Sequence, residues 1–441
     1  METPAAPTTE LKRALRTPSL VVFGLAYMAP LELLAIFGVI SENSLGASAG
    51  AYLLATFAML LTAASYGKMA RAYPVSGSAY TYARRAIGPK VGFLSGWAIL
   101  LDYMFLPLVV WLIGANYLHE AVPALPLWAC IVLFIVITSV LNILGVKVAD
   151  RANLILMALL FLIIIFFVIL AAGQIAGPEG HGFSLDPFYN DGTNFGAISA
   201  AAAIAAYSFL GFDAVTTLTE ETHEPRKRIP RAVMLVAALG GVIFVGLAYF
   251  AQLVHPEPFF DNPDTAAVDI VAQIGGPLFG AIFISGVIIG EFASGLTCQW
   301  GATRLLYAMG RDNVLPRRFF GQLSERWQTP VFNTVLTGAV GLIGIVMSVE
   351  TSTSFINFGA FIGFAMVNLS VIFYWSKHRG ERLSVFGYVV APALGALVAV
   401  FLMTQLDGAA LLVGAIWLVI GVGVLARITR GFKVDPPEME A

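Results

Sequence analysis

"GLAYMAPLELLAIFG" runs from Gly24 to Gly38, inside the first long apolar stretch of the chain. A plain membrane anchor would carry neither the proline at position 30 nor the glutamate at position 32. Proline in a helix interior removes a hydrogen bond and costs about 3 kcal/mol. A carboxylate at mid-bilayer costs about 2.5–3.5 kcal/mol more, even on the mildest scale. Both costs fall within one turn. They point to an interrupted span that faces something other than lipid, with Pro30 as the break and Glu32 turned toward a cavity.

The rest of the chain places that span in a membrane. Of 441 residues, 58% are hydrophobic and 12% charged, against about 25% charged in a soluble domain. Mean hydropathy is +0.83. A spanning helix needs roughly 20 apolar residues, and about twelve such segments fit: 19–41, 49–70, 92–118, 126–145, 153–174, 196–218, 232–254, 277–300, 331–349, 353–376, 386–405 and 409–427. They leave short loops and no room for a sizeable soluble domain. The run after the polar tail Met1–Pro18 is too long for a signal-peptide core and reads as a retained first span.

Charge orients the chain. With the N-terminus inside, all 25 Lys and Arg fall on one side. They lie in the tail (Lys12, Arg13, Arg16), near 68–90, at Lys147 and Arg151, in 226–231, 304–326 and 377–382, and from Arg427 on. The positive-inside rule then puts both termini in the cytoplasm of a bacterial inner membrane and favours an even number of spans. The other side carries Glu42, Glu120, Glu179, Asp186, Asp191, Glu257, Asp261, Asp264, Asp269, Glu350 and Asp407. Such a field concentrates cations at the outer mouth; plain tolerance of acids there is the alternative. The basic segment Arg226-Lys227-Arg228 meets anionic lipid head groups in any case.

Several function classes drop out. Cys130 and Cys298 form no CxxC and imply neither a disulfide framework nor a metal site. His119, His181, His223, His255 and His378 all sit at helix ends or in loops. No Walker-type loop occurs, so ATP-driven transport has no support. Gly46-Ala-Ser48-Ala-Gly50 matches a nucleophile elbow but has no strand before it, so small residues at a helix start explain it. The chain reads as no enzyme, with no cofactor, no metal and no nucleic-acid partner.

A second span is interrupted. "AAYSFLGFDAVTTLTEE" (205–221) holds Gly211 and Asp213 near its middle. The two interrupted spans are the first and the sixth, as expected if five-helix units repeat. Paired interruptions in corresponding places are the best sequence pointer to a transporter site. Freed backbone groups persist at mid-membrane only where they line a cavity or bind a ligand. Four carboxylates fall within spans: Glu32, Asp102, Asp213 and Glu291. No Lys or Arg lies near mid-span to neutralise them. They carry protons, bond to polar neighbours, or await a cationic substrate; the first and third together describe a proton-coupled importer of amines. Asp102 also reads as a helix-packing hydrogen bond beside Tyr103. Glu291 lies among Gly286, Gly290, Ser294 and Gly295, where another helix can approach closely. Among the nearby aromatics, Tyr27 and Phe212 adjoin the breaks and suit cation–π contacts.

Three long motifs resemble the amino acid–polyamine–organocation permeases: "YPVSGSAYTYARRAIGPKVGFLSGW" (73–97), "FLGFDAVTTLTEETHEPRKRIPRAV" (209–233) and "TRLLYAMGRDNVLP" (303–316). Within that superfamily, "GLAYMAP", "LLDYMFLP", "SFLGFDAVTTLTEET" and "INFGA" (356–360) are similar to bacterial putrescine importers. The resemblance implies an all-α polytopic membrane protein with a leucine-transporter-like fold. Two inverted five-helix repeats would span 19–376, with two further helices in 377–428 and cytoplasmic tails at 1–18 and 429–441. The site would lie between helices 1 and 6, with 3, 8 and 10 around it.

Amino acid permeases of this superfamily usually have Gly-rich sequence at the first break, which holds a substrate α-carboxylate. Tyr27-Met28-Ala29-Pro30-Leu31-Glu32 lacks that character and adds an acid, favouring a substrate with amines and no carboxylate. Putrescine importers carry their helix-1 acid about one turn later, where this chain has Ala35, and Glu291 is an addition. Helix 5, "NLILMALLFLIIIFFVIL", lacks the lysine that replaces sodium in some proton-coupled relatives.

The reading is thus a proton symporter importing a small organic cation such as putrescine. Tyr27, Met28, Glu32, Asp102, Tyr103, Phe212 and Asp213 would line the substrate site, with ammonium groups on Glu32 and Asp213. Glu32, Asp102 and Glu291 are the proton-coupling candidates, and Pro30 and Gly211 the helix breaks. An amino acid permease, a diamine/amino acid exchanger, and a non-transporting sensor or channel are the alternatives.

Overall fold

The computed structural model describes residues 15–75, 79–145, 150–178, 180–219, 221–311 and 314–437. Lys12 and Arg13 of the N-tail, the loop residues 76–78, Lys147, Glu179, Glu220 and the last four residues lie outside them, as does the Arg151 side chain. Regular structure among the described residues is helical throughout, apart from one bridge that pairs Leu15 with Thr222.

Ten helices among these residues are long and apolar enough to cross a membrane, and two shorter apolar helices, Leu127–Ile143 and Val331–Val346, accompany them. The chain is an all-α polytopic membrane protein. Most of the surface of its spans is apolar because both surroundings are, protein within and lipid without. In lipid a helix also satisfies its own backbone groups. Ile169, Val242, Leu278 and Val419 project outward, more than half exposed. The short helix Ala79–Ala86 is the contrast: it is amphipathic, burying Tyr80, Tyr82 and Ala83 while Arg84 and Arg85 lie in its last turn.

In chain order the elements are α1 (Thr17–Tyr27), α2 (Glu32–Ala35), α3 (Phe37–Ser44), α4 (Ser48–Ala72), α5 (Ala79–Ala86), α6 (Pro89–Ala121), α7 (Leu127–Ile143), α8 (Asp150–Ile175) and α9 (Phe195–Ala205). Two 3₁₀ turns follow, Ala206–Phe209 and Asp213–Leu218. Then come α10 (Pro225–Val254), α11 (Ala266–Arg311), α12 (Arg317–Phe320), α13 (Val331–Gly341), α14 (Val349–Lys377), α15 (Ala391–Thr404) and α16 (Gly408–Ile428). Helix α6 runs through the middle and touches α5, α7, α11, α13, α14 and α16. Helix α10 packs along α4 and α1, and α8 against α11.

One expectation shifts. The segment read as a span over 277–300 is part of a longer helical stretch, Ala266–Arg311, that leaves helical geometry at Gly276 (φ 70°, ψ −176°) just before Pro277. Glycine takes that left-handed φ at little cost, and the proline cannot extend the preceding helix. A short helix therefore precedes the span.

Candidate functional site

Helix α1 ends at Tyr27, and α2 begins at Glu32. Between them Ala29 takes a left-handed φ of 40°, a conformation a non-glycine residue adopts only when its surroundings impose it. Pro30 follows and cannot donate a backbone hydrogen bond. The chain turns tightly, with Ala29 N–H donating to Ala26 O at 3.2 Å and Glu32 N–H to Ala29 O at 2.8 Å. Glu32 thereby starts a new short helix. The second interruption is made differently. Leu210 is extended (ψ 131°), and Gly211 has φ 110°, where a side chain would be strained. Carbonyls near the end of α9 are satisfied from another helix: Asn357 Nδ2 of α14 donates to Ala203 O at 2.8 Å and Ile204 O at 3.3 Å.

The four acids divide into two pairs in two cavities. The larger, about 330 Å³, is lined by both sides of the first break, by α8 (Leu156, Leu160, Ile164) and by α11. Glu32 and Glu291 line it, with Ser294, Thr297 and Cys298. Tyr207 Oη donates to Glu32 Oε1. Glu291 is 6% exposed, its stem packs against Gly114 of α6, where a Cβ would come within 2.8 Å of it, and its Oε2 has no partner.

The smaller cavity, about 60 Å³, is lined by Asp102, Tyr103, Asp213, Tyr66 and Gly363 among others. Tyr66 Oη donates to Asp213 Oδ2 at 3.2 Å, and Asp102 Oδ1 is buried with no partner. Each cavity therefore pairs one carboxylate oriented by a tyrosine with one whose oxygen is unsatisfied. No Lys, Arg or His lines either cavity among the described residues. A buried, unpaired carboxylate oxygen is costly in a low dielectric; a proton or a cation removes the cost.

Tyr27, Glu32, Asp102, Tyr103, Asp213 and Glu291 all line these cavities. Glu32 and Asp213, expected to hold the two ammonium groups at the breaks, line separate cavities. Two expected site residues point elsewhere. Met28 is 1% exposed, and its Cε lies against Gly240 of α10, 2.4 Å from where a Cβ would be. Phe212 is fully buried, its ring 5.6 Å from Tyr66 and 5.5 Å from Phe364. Adjacency to a break does not fix direction, and each side chain here turns into the protein. Sequence reasoning missed Tyr66, which sits in an unbroken span with nothing to mark it, and gave Tyr207 no weight. The small residues flanking Glu291 meet two helices: Gly286 and Gly290 face α8, and Gly295 faces Trp111 of α6.

The sequence profile of the amino acid permease family matches residues 20–428. The low-affinity putrescine importer PlaP of Escherichia coli is 37% identical over 99% of this chain and 98% of its own length. The methylthioribose transporter of Bacillus subtilis is 28% identical over 95% of this chain and 94% of its own. The branched-chain amino acid permease BcaP of the same organism is 26% identical over 86% and 85%. The chain belongs to the amino acid permease family and is a transporter of polyamine or amino acid type.

Proposed function

We propose that this amino acid permease imports a small organic cation, a diamine such as putrescine, by proton symport with alternating access. The observation that carries the reading is the pairing of acids. Glu32 and Asp213, each held by a tyrosine hydroxyl, present oriented carboxylates for ammonium groups. Glu291 and Asp102, each with an unsatisfied oxygen beside them, carry the coupling protons. Two ammonium charges offset only two of the four acids, and protons offset the rest. The first break lacks a glycine-rich cradle for an α-carboxylate, and the unpaired acids there would repel one. The similarity to a putrescine importer supports the same substrate class.

In this reading the chain sits in a bacterial inner membrane with both termini in the cytoplasm, where its Lys and Arg gather. Residues 19–376 form the transporting core as two inverted five-helix repeats, with the two final helices appended. The interrupted spans α1–α2 and α9 with its 3₁₀ turns are the elements that rock to open the site to either side.

The test is uptake of labelled putrescine into proteoliposomes, with and without an inward proton gradient, challenged with amines and amino acids. The expected result is gradient-driven uptake blocked by diamines. No uptake of putrescine, with uptake of labelled leucine or arginine, would make the protein an amino acid permease. Strong acceleration by internal ornithine would make it an exchanger.

A further inference from the structure

Tyr27 borders both cavities. It is the last residue of α1 and is 40% exposed. The ring lies directly over the second break: a Cβ at Gly211 would sit 2.2 Å from Tyr27 Cδ1 and 3.0 Å from its Cγ. The two cavities thus share an aromatic ring pressed on a bare glycine backbone. On one side stand Glu32 and Glu291, on the other Asp102 and Asp213. Each cavity is anionic, and the ring that borders both is apolar.

We infer that Tyr27, seated on Gly211, is the divider that sets which dications the protein accepts. The ligand spans it, with one ammonium group in each chamber and its methylene chain across the ring. This rests on the functional reading above and adds its selectivity. A chain too short reaches only one acid pair and leaves the other buried and unpaired. A chain too long cannot seat both charges. A site built around buried polar groups rejects ligands that leave them unsatisfied far more strongly than it rejects a change of apolar bulk. The ring also offers its face to each ammonium group as it passes.

The experiment is competition binding to the purified full chain by diamines from ethylenediamine to hexamethylenediamine, and by butylamine. For the parent protein, affinity should peak at one chain length and fall roughly tenfold or more for butylamine. Y27F should keep the profile. Y27A should flatten it, admitting longer diamines. An unchanged length profile in Y27A overturns the divider and leaves the cation site standing. Failure of every amine to bind the parent overturns the functional reading and the divider with it.

A second readout is independent of whether Y27A folds. Cys298 lines the larger cavity, whereas Cys130 is buried. A spanning diamine at saturation should slow alkylation of Cys298 by a small maleimide. No protection would place the whole ligand in the smaller cavity and overturn the divider.

Discussion

Asp213 carries the largest expectation at the level of single residues. Its carboxylate is positioned by Tyr66 in the smaller cavity, where an ammonium group would lose its counter-charge on substitution. D213N should lower putrescine uptake roughly a hundredfold, the cost of truncating one partner of a buried charge pair, with expression unchanged; full uptake would remove Asp213 from the site. Asp264 makes a pH-dependent case outside the spans. Burial, with Glu42 and Glu350 nearby, raises its carboxyl to about 6, above the ordinary value near 4. Between those values the folded protein holds a proton that the unfolded chain has released, so stability falls as pH rises from about 4 to about 6 and stays lower above. D264N should therefore stabilise the protein at pH 7–8, by on the order of 1–2 kcal/mol, and leave it unchanged near pH 4. Thermal unfolding in detergent across that range checks it. The four mid-span acids were legible because their cost in lipid demands a reason. Their pairing was not, since it depends on which helices become neighbours. Glu32 and Glu291 are 259 positions apart, and no local pattern joins them.

Among the elements, the first break could be read because Pro30 forces it, and the second because Gly211 permits it. Which residues turn inward could not, since Met28 and Phe212 find partners on α10 and α14 that no spacing announces. The attachment of α16 was equally invisible. Trp97 of α6 and Trp417 of α16 stack at 4.9 Å between centroids. Their indoles exchange hydrogen bonds with each other's backbone, Trp97 Nε1 to Trp417 O at 2.9 Å and Trp417 Nε1 to Trp97 O at 2.8 Å. W417F removes one bond and part of the stack, and should cost about 1–2 kcal/mol of stability with little change in substrate affinity, because neither tryptophan lines a cavity described above. A large affinity loss at unchanged thermal stability would mean that α16 acts on the site rather than holding α6.

For the molecule as a whole, composition and the run of long apolar segments pointed to the membrane class before any coordinate, because a lipid environment constrains every span alike. The chemistry rests on the two acid-lined cavities, and equilibrium binding of labelled putrescine to the purified protein examines it without relying on a gradient or a vesicle. Saturable binding that diamines displace, that leucine and ornithine do not, and that D213N loses is the expected result. Saturable binding of a labelled amino acid with no measurable affinity for putrescine would contradict it, and would mean that the acids serve protons or packing while the substrate brings its own carboxylate.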